Sequence, residues 1–253
     1  MIWTVIAIQV TTLVVALYAA RKAMWAAQIS SRVEEKGNVL SIRTTQETEA
    51  LDGLYWRLGL ERGTLPPTRG WAASPDVLTV LYDQARDSNA RSLVECGSGT
   101  STVVLARYCQ QMGDGRLLSI DHDETFAAIT RRRLIDLGLD SYVDLVVAPL
   151  VQQTIGEKDR LWYDLGKIEL PETIDLAFVD GPPIAITGED GRAPAGSLFV
   201  PRLSDGGRII FDDAHRPGER RLIDDLTKTF PHLETEAPLT EKGCRILVNR
   251  GRV

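Results

Sequence analysis

Residues 92–102, Ser-Leu-Val-Glu-Cys-Gly-Ser-Gly-Thr-Ser-Thr, constrain the fold of this chain more than any other stretch. Leu93 and Val94 form an apolar run that ends in the acid Glu95; a turn with two glycines follows, and residues 103–108 then read as a helix. A buried strand that enters a helix through a tight loop is the usual place for a nucleotide-type ligand in an open α/β sheet. Gly97 and Gly99 let a ligand approach the backbone without a Cβ in the way. A dinucleotide fingerprint would want a third glycine where Thr102 stands. Glu95, two residues before Gly97, suits a cation or amine held over the loop better than a pyrophosphate. Residues 117–120 read as the next strand and end in Asp121, about 20 residues on, where a carboxylate can accept two ribose hydroxyls.

The same alternation runs on through the chain. A helix is expected from Ser74-Pro75-Asp76 to about Ala85, with a capping serine and a proline in the first turn. Another runs from about Glu124 to Leu137, closed by Gly138. Residues 143–147 read as a third strand, with Trp162 and Tyr163 on the connection after it as packing groups. Residues 174–180 form a fourth strand that stops at Gly181-Pro182-Pro183, and 206–213 a fifth that ends in two acids. A Gly-, Ala- and Pro-rich linker (188–196) separates these two strands. A helix over 219–230 and a closing strand pair near 233–236 and 244–248 complete the pattern. Together they predict a doubly wound, mostly parallel sheet with an antiparallel C-terminal edge strand.

The first 20 residues carry no charged side chain, and about 20 such residues are enough to span a bilayer as a helix. Trp3 and Tyr18 stand near its ends, and Arg21, Lys22 and Arg32 follow, so the positive-inside bias sets the downstream domain on the cytoplasmic side. The expected organisation is a transmembrane anchor (1–20), a juxtamembrane amphipathic helix and linker (21–69), and a catalytic domain (70–253). A cleaved signal peptide would want a basic start and a small-x-small site, both poor here. At 253 residues there is ample material for one core. The net charge of -6 gives no basic footprint for a nucleic-acid partner. Cys96, Cys109 and Cys244 lack metal-ligand spacing and read as small apolar residues.

An acid at the end of the first strand, Gly-x-Gly, and a second strand ending in an acid resemble the class I S-adenosylmethionine-dependent methyltransferases, over roughly residues 93–248. The resemblance implies S-adenosylmethionine as cofactor, held by Glu95, Gly97, Gly99, Ser101, Asp121 and His122. Ala148 would border the adenine, by apolar or backbone contact, where the family often has an acidic or polar residue. It further implies methyl transfer to a hydroxyl oxygen of a small or lipid-linked acceptor, the latter from the expected membrane location alone.

Asp180, Asp212 and Asp213 resemble the metal-binding positions of the catechol-type O-methyltransferases, where oxygen ligands suit Mg²⁺. A cation there would bind the acceptor hydroxyl and lower its pKa. Two residues depart from that pattern. Asp213 stands where an amide is usual, and Pro183 where a lysine is. Without a metal, Asp180 or His215 is the candidate general base. Three rival readings share the fold: a nicotinamide-dependent oxidoreductase, for which the third glycine and a Tyr-x-x-x-Lys pair are missing, an aminopropyl transferase, and a non-catalytic membrane-tethered binding module.

Overall fold

The computed structural model describes residues 2–68 and 70–251. The chain divides into two compact units, Met1–Glu49 and Ala50–Val253.

The described residues of the first unit all lie within α1 (Ile2–Leu58), a helix that runs on through Gly37 and Gly53. The expected anchor, the juxtamembrane helix and part of the linker are therefore one element. Thr44, Thr45 and Thr48 each give their hydroxyl to the carbonyl four residues back, which satisfies groups that would otherwise favour a turn. Among the described residues no helix is long and apolar enough to cross a membrane. This overturns the expected transmembrane helix and the membrane location that rested on it. Gln9, Thr11 and Thr12 interrupt the apolar run, and the same helix continues into the charged residues Arg21, Lys22, Arg32, Glu34, Glu35 and Lys36. Met1 lies outside the described residues.

The second unit takes in the last turns of α1, whose Leu54 and Leu58 are fully buried. The helix stops at Gly59, in the left-handed region at φ 58°, and Leu60 N–H returns to the Tyr55 carbonyl. There follow α2 (Pro75–Asp87), β1 (Ser92–Cys96), α3 (Thr100–Met112), β2 (Arg116–Asp121), α4 (Glu124–Asp136) and β3 (Val143–Val147). A separate two-stranded antiparallel hairpin, β4 (Leu150–Ile155) and β5 (Lys158–Tyr163), occupies what the sequence suggested was a plain connection. Next come β6 (Ile174–Val179), the short helices α5 (Ile184–Thr187) and α6 (Ala193–Phe199), β7 (Leu203–Asp212), α7 (Pro217–Thr229), β8 (Leu233–Glu236) and β9 (Cys244–Asn249).

Seven strands form one sheet in the order β3-β2-β1-β6-β7-β9-β8. The first five are parallel, and β9 runs antiparallel to both β7 and β8. The reversed strand is thus internal and β8 forms the edge, because β8 has no partner other than β9 to pair with. Alternate residues of the central strands feed two cores. Leu176 and Phe178 of β6 face one with α2 and α3, while Ala177 and Val179 face the other with Trp162, Phe199 and Ile223. Strand order reverses between β1 and β6, where Cys96 stands opposite Val179 and Asp180 N–H bonds the Cys96 carbonyl at 3.1 Å. That is the switch point at which open α/β sheets leave a crevice.

Candidate active site

A cavity of about 580 Å³ opens over the carboxyl ends of β1, β2 and β6, a size in the ordinary range for small-molecule sites. Its floor is the loop between β1 and α3. Gly97 takes φ 95°, a conformation an L side chain rarely adopts, and a Cβ there would lie 3.5 Å from Gly181 N. The Gly99 N–H is bound by Thr102 Oγ1 at 2.8 Å. The N-terminus of α3, with Thr100 and Ser101, faces the cavity and lends it partial positive charge.

Asp121 and His122 join this end from β2. One carboxylate oxygen of Asp121 accepts from Ser98 N–H at 2.9 Å and from the Ser98 hydroxyl, and the other accepts from Asp123 N–H at 3.0 Å. The acid thus fastens the glycine loop from the neighbouring strand. His122 Nδ1 stands 3.4 Å from the same carboxylate.

Glu95 and Ala148 are placed differently from what the resemblance implied. Both are fully buried, and neither is among the residues lining the cavity. Glu95 turns into the first core, where Ser119 Oγ donates to its Oε1 at 2.7 Å. Burial pushes its carboxyl up to about 7, partly offset by the hydroxyls of Thr102, Ser119 and Ser101. The aromatic at this end of the cavity is instead Phe126, 57% exposed on the first turn of α4.

The opposite end gathers the acids of β6 and β7. Asp180 and Asp213 line the cavity; Asp212 sits just behind them with its Oδ1 bound to Asp213 N–H at 2.7 Å. The oxygens of the three acids lie within 4.8 Å of one another, a donor set of the kind a hard cation uses. Burial, with the neighbouring acids, pushes both Asp180 and Asp212 above the usual carboxylate range.

Into this cluster the chain sends a residue that sequence reading passed over. Arg192, in the Gly-, Ala- and Pro-rich stretch, is only 3% exposed. Its Nη2 lies 3.2 Å from Asp180 Oδ1 and 3.5 Å from Asp213 Oδ2, and donates to the Asp180 carbonyl. Its Nη1 donates to the Asp212 carbonyl at 3.2 Å and stands 3.6 Å from Glu219 Oε1. Arg216 Nη1 adds a second cation 2.9 Å from Asp213 Oδ2. His215 is exposed, packs its ring against Gly243, and is not among the lining residues.

Two further lining residues were read as packing or missed. Tyr163, on β5, is fully buried, and its hydroxyl makes no hydrogen bond. Trp71, 84% exposed, lines the cavity, as does Lys242, whose Nζ is 3.4 Å from the Gly70 carbonyl.

This strand order, the glycine loop at the switch point and the acid that fastens it are consistent with a class I S-adenosylmethionine-dependent methyltransferase. Residues 94–214 match a family model described as a methyltransferase domain. A putative O-methyltransferase of Mycobacterium sp. (strain JLS) is 27% identical over 142 residues, 54% of this chain and 60% of that protein. The chain thus spans about 60% of the length of the curated relative it matches. Among solved structures, an O-methyltransferase from Streptomyces achromogenes involved in tomaymycin synthesis, in complex with S-adenosylmethionine, aligns with TM-score 0.55 at 17% identity. That alignment covers 81% of this chain and 89% of that one. An O-methyltransferase from Bacillus cereus in complex with S-adenosylhomocysteine gives 0.56 at 20% identity, over 79% and 90%. At these identities the likeness establishes the fold.

Proposed function

We propose that this protein transfers a methyl group from S-adenosylmethionine to a hydroxyl oxygen of a small acceptor. The observation that carries the reading is one cavity whose two ends differ in chemistry. Gly97, Gly99, Ser101, Asp121 and His122 stand at one end, and Asp180 and Asp213 at the other. The first end fits the cofactor. The position of a Cβ on Gly99 has nothing within 4 Å, so the loop leaves open space. Asp121 lines the cavity with its carboxylate fixed by three hydrogen bonds, an acceptor suited to a ribose hydroxyl. The α3 N-terminus suits a carboxylate. The unpartnered Tyr163 hydroxyl is a buried group that a ligand would satisfy.

When bound, the cofactor supplies a methyl group to the acceptor oxygen and leaves as the neutral thioether. The chain's own part is to hold the acceptor hydroxyl and take its proton. Asp180 is the group we assign to that proton, since its carboxylate faces the cavity and its side chain is 20% exposed. His215 is exposed and does not line the cavity, and is the weaker candidate for base. Trp71, Ile184 and Ile186 give the acceptor end an apolar wall, so the acceptor carries an apolar body beside its hydroxyl. Positioning such a group in line with the transferred methyl supplies much of the acceleration.

A panel of phenolic and aliphatic hydroxyl acceptors, with S-adenosylhomocysteine release as readout, tests the reading. Turnover with a hydroxyl acceptor, lost in Asp180→Asn, supports it. Turnover only with amines or thiols would replace oxygen as the methyl acceptor.

A further inference from the structure

Acidic side chains packed this closely out of water repel one another strongly, so the cluster of Asp180, Asp212, Asp213 and Glu219 needs positive charge within it. The catechol-type resemblance assigns that charge to a divalent ion. The contacts of Arg192 answer the same need differently. A guanidinium is always charged and presents five donors in a flat fork. Here that fork touches the side chains of Asp180, Asp213 and Glu219 and the carbonyls of Asp180 and Asp212. It therefore ties the carboxyl ends of β6 and β7 to the first turn of α7. It also engages one carboxylate oxygen each of Asp180 and Asp213, and so brings a positive charge, which would repel a metal cation, to within 3.5 Å of them.

We infer that Arg192 is the resident cation of this cluster and that the acid rim works without a divalent metal. Arg192 acts as a positioning residue. It fixes the Asp180 carboxylate toward the cavity and balances its neighbours, with Arg216 closing the solvent side 2.9 Å from Asp213. The inference rests on the proposed reaction only for what Asp180 does, and not for the charge balance itself.

The test is thermal unfolding of the full chain with EDTA, Mg²⁺ or Mn²⁺, in the wild type and in Arg192→Met and Arg192→Lys. The wild-type midpoint is expected to be indifferent to all three additions. Arg192→Met should lower it by on the order of 10 °C and should gain a stabilisation by Mg²⁺ or Mn²⁺ that the wild type lacks. Arg192→Lys, which keeps the charge, should fall less and gain no metal response. Adding Asp213→Asn to Arg192→Met should recover part of the loss, a rescue that a merely packing arginine would not produce. A wild-type midpoint that rises with Mg²⁺ and falls with EDTA overturns the inference, as does a metal response of equal size in wild type and Arg192→Met. Should Arg192→Met fail to fold, titration calorimetry of Mg²⁺ and Mn²⁺ into wild type decides alone. Absence of binding heat supports the inference and one-to-one binding overturns it. None of these outcomes depends on S-adenosylmethionine binding, so the proposed reaction can fail separately.

Discussion

The two ends of the cavity are built in opposite ways. The proposed cofactor end is made of a glycine loop and the first turn of α3, both neutral, with one acid whose carboxylate is held by backbone N–H groups and a serine. The acceptor end is a buried ionic cluster whose members come from β6, α6, β7 and α7. The first needs local backbone geometry and tolerates little change in shape. The second needs charge balance and tolerates little change in sign. Substitutions at the cofactor end should therefore act on ligand affinity, and those at the acceptor end on turnover and stability.

The largest effect is expected from Gly97→Val. A β-branched side chain at φ 95° is strained, and its Cβ would stand against Gly181. Binding of S-adenosylmethionine by calorimetry should disappear, and binding as tight as wild type would break the assignment of the loop. Next is Asp180→Asn, expected to cut kcat by about a hundredfold or more while cofactor affinity stays the same. His215→Ala should change kcat by less than about threefold, as for an exposed side chain outside the cavity. Reversed sizes would move the base to His215. Asp121→Ala should weaken cofactor binding by about 1.5–3 kcal/mol, the usual cost of losing hydrogen bonds to a charged group, without lowering kcat at saturation.

A smaller effect is expected on stability from Glu95→Gln. The folded state keeps a proton on Glu95 up to about pH 7, whereas the unfolded chain gives it up near 4.5. Folding therefore becomes less favourable as pH rises through that window. The neutral amide should remove the share of this slope that Glu95 contributes beside Asp180 and Asp212 and stabilise the protein by about 1–3 kcal/mol at pH 8, measured by denaturant unfolding at pH 5 and pH 8. An unchanged slope would mean that Glu95 is not the group that titrates. The smallest effect is Tyr163→Phe. Its hydroxyl makes no hydrogen bond, so stability should hold while ligand affinity falls by about tenfold at most. Loss of stability at unchanged affinity would make the phenol a packing group.

The same contrast explains what was legible in the sequence. The loop and Asp121 follow from residue types at short, fixed spacing, and the parallel strands follow from apolar runs that end in acids. Arg192 left no such mark. Its partners lie 12 and 20 residues away and more, and only the pairing of β6 with β7 brings them together. The burial of Glu95 was not legible, because strand alternation turns it toward the first core while its backbone borders the loop. The hairpin of β4 and β5 was hidden by its charged tip, so Trp162 and Tyr163 read as one connection although only Tyr163 lines the cavity. At the N-terminus, Gly37 and Gly53 lie inside a continuous helix, where Gly costs only about 1 kcal/mol against alanine.

The central claim is that the glycine-loop end of the cavity is a site for S-adenosylmethionine. Titration calorimetry of S-adenosylmethionine, S-adenosylhomocysteine and NAD into the full-length protein tests it most directly. The expected result is saturable one-to-one binding of the two adenosyl sulfur compounds, with no heat from NAD. Binding of NAD with none of the other two would contradict the account and point to an oxidoreductase. Silence with all three would leave a binding module on a methyltransferase fold.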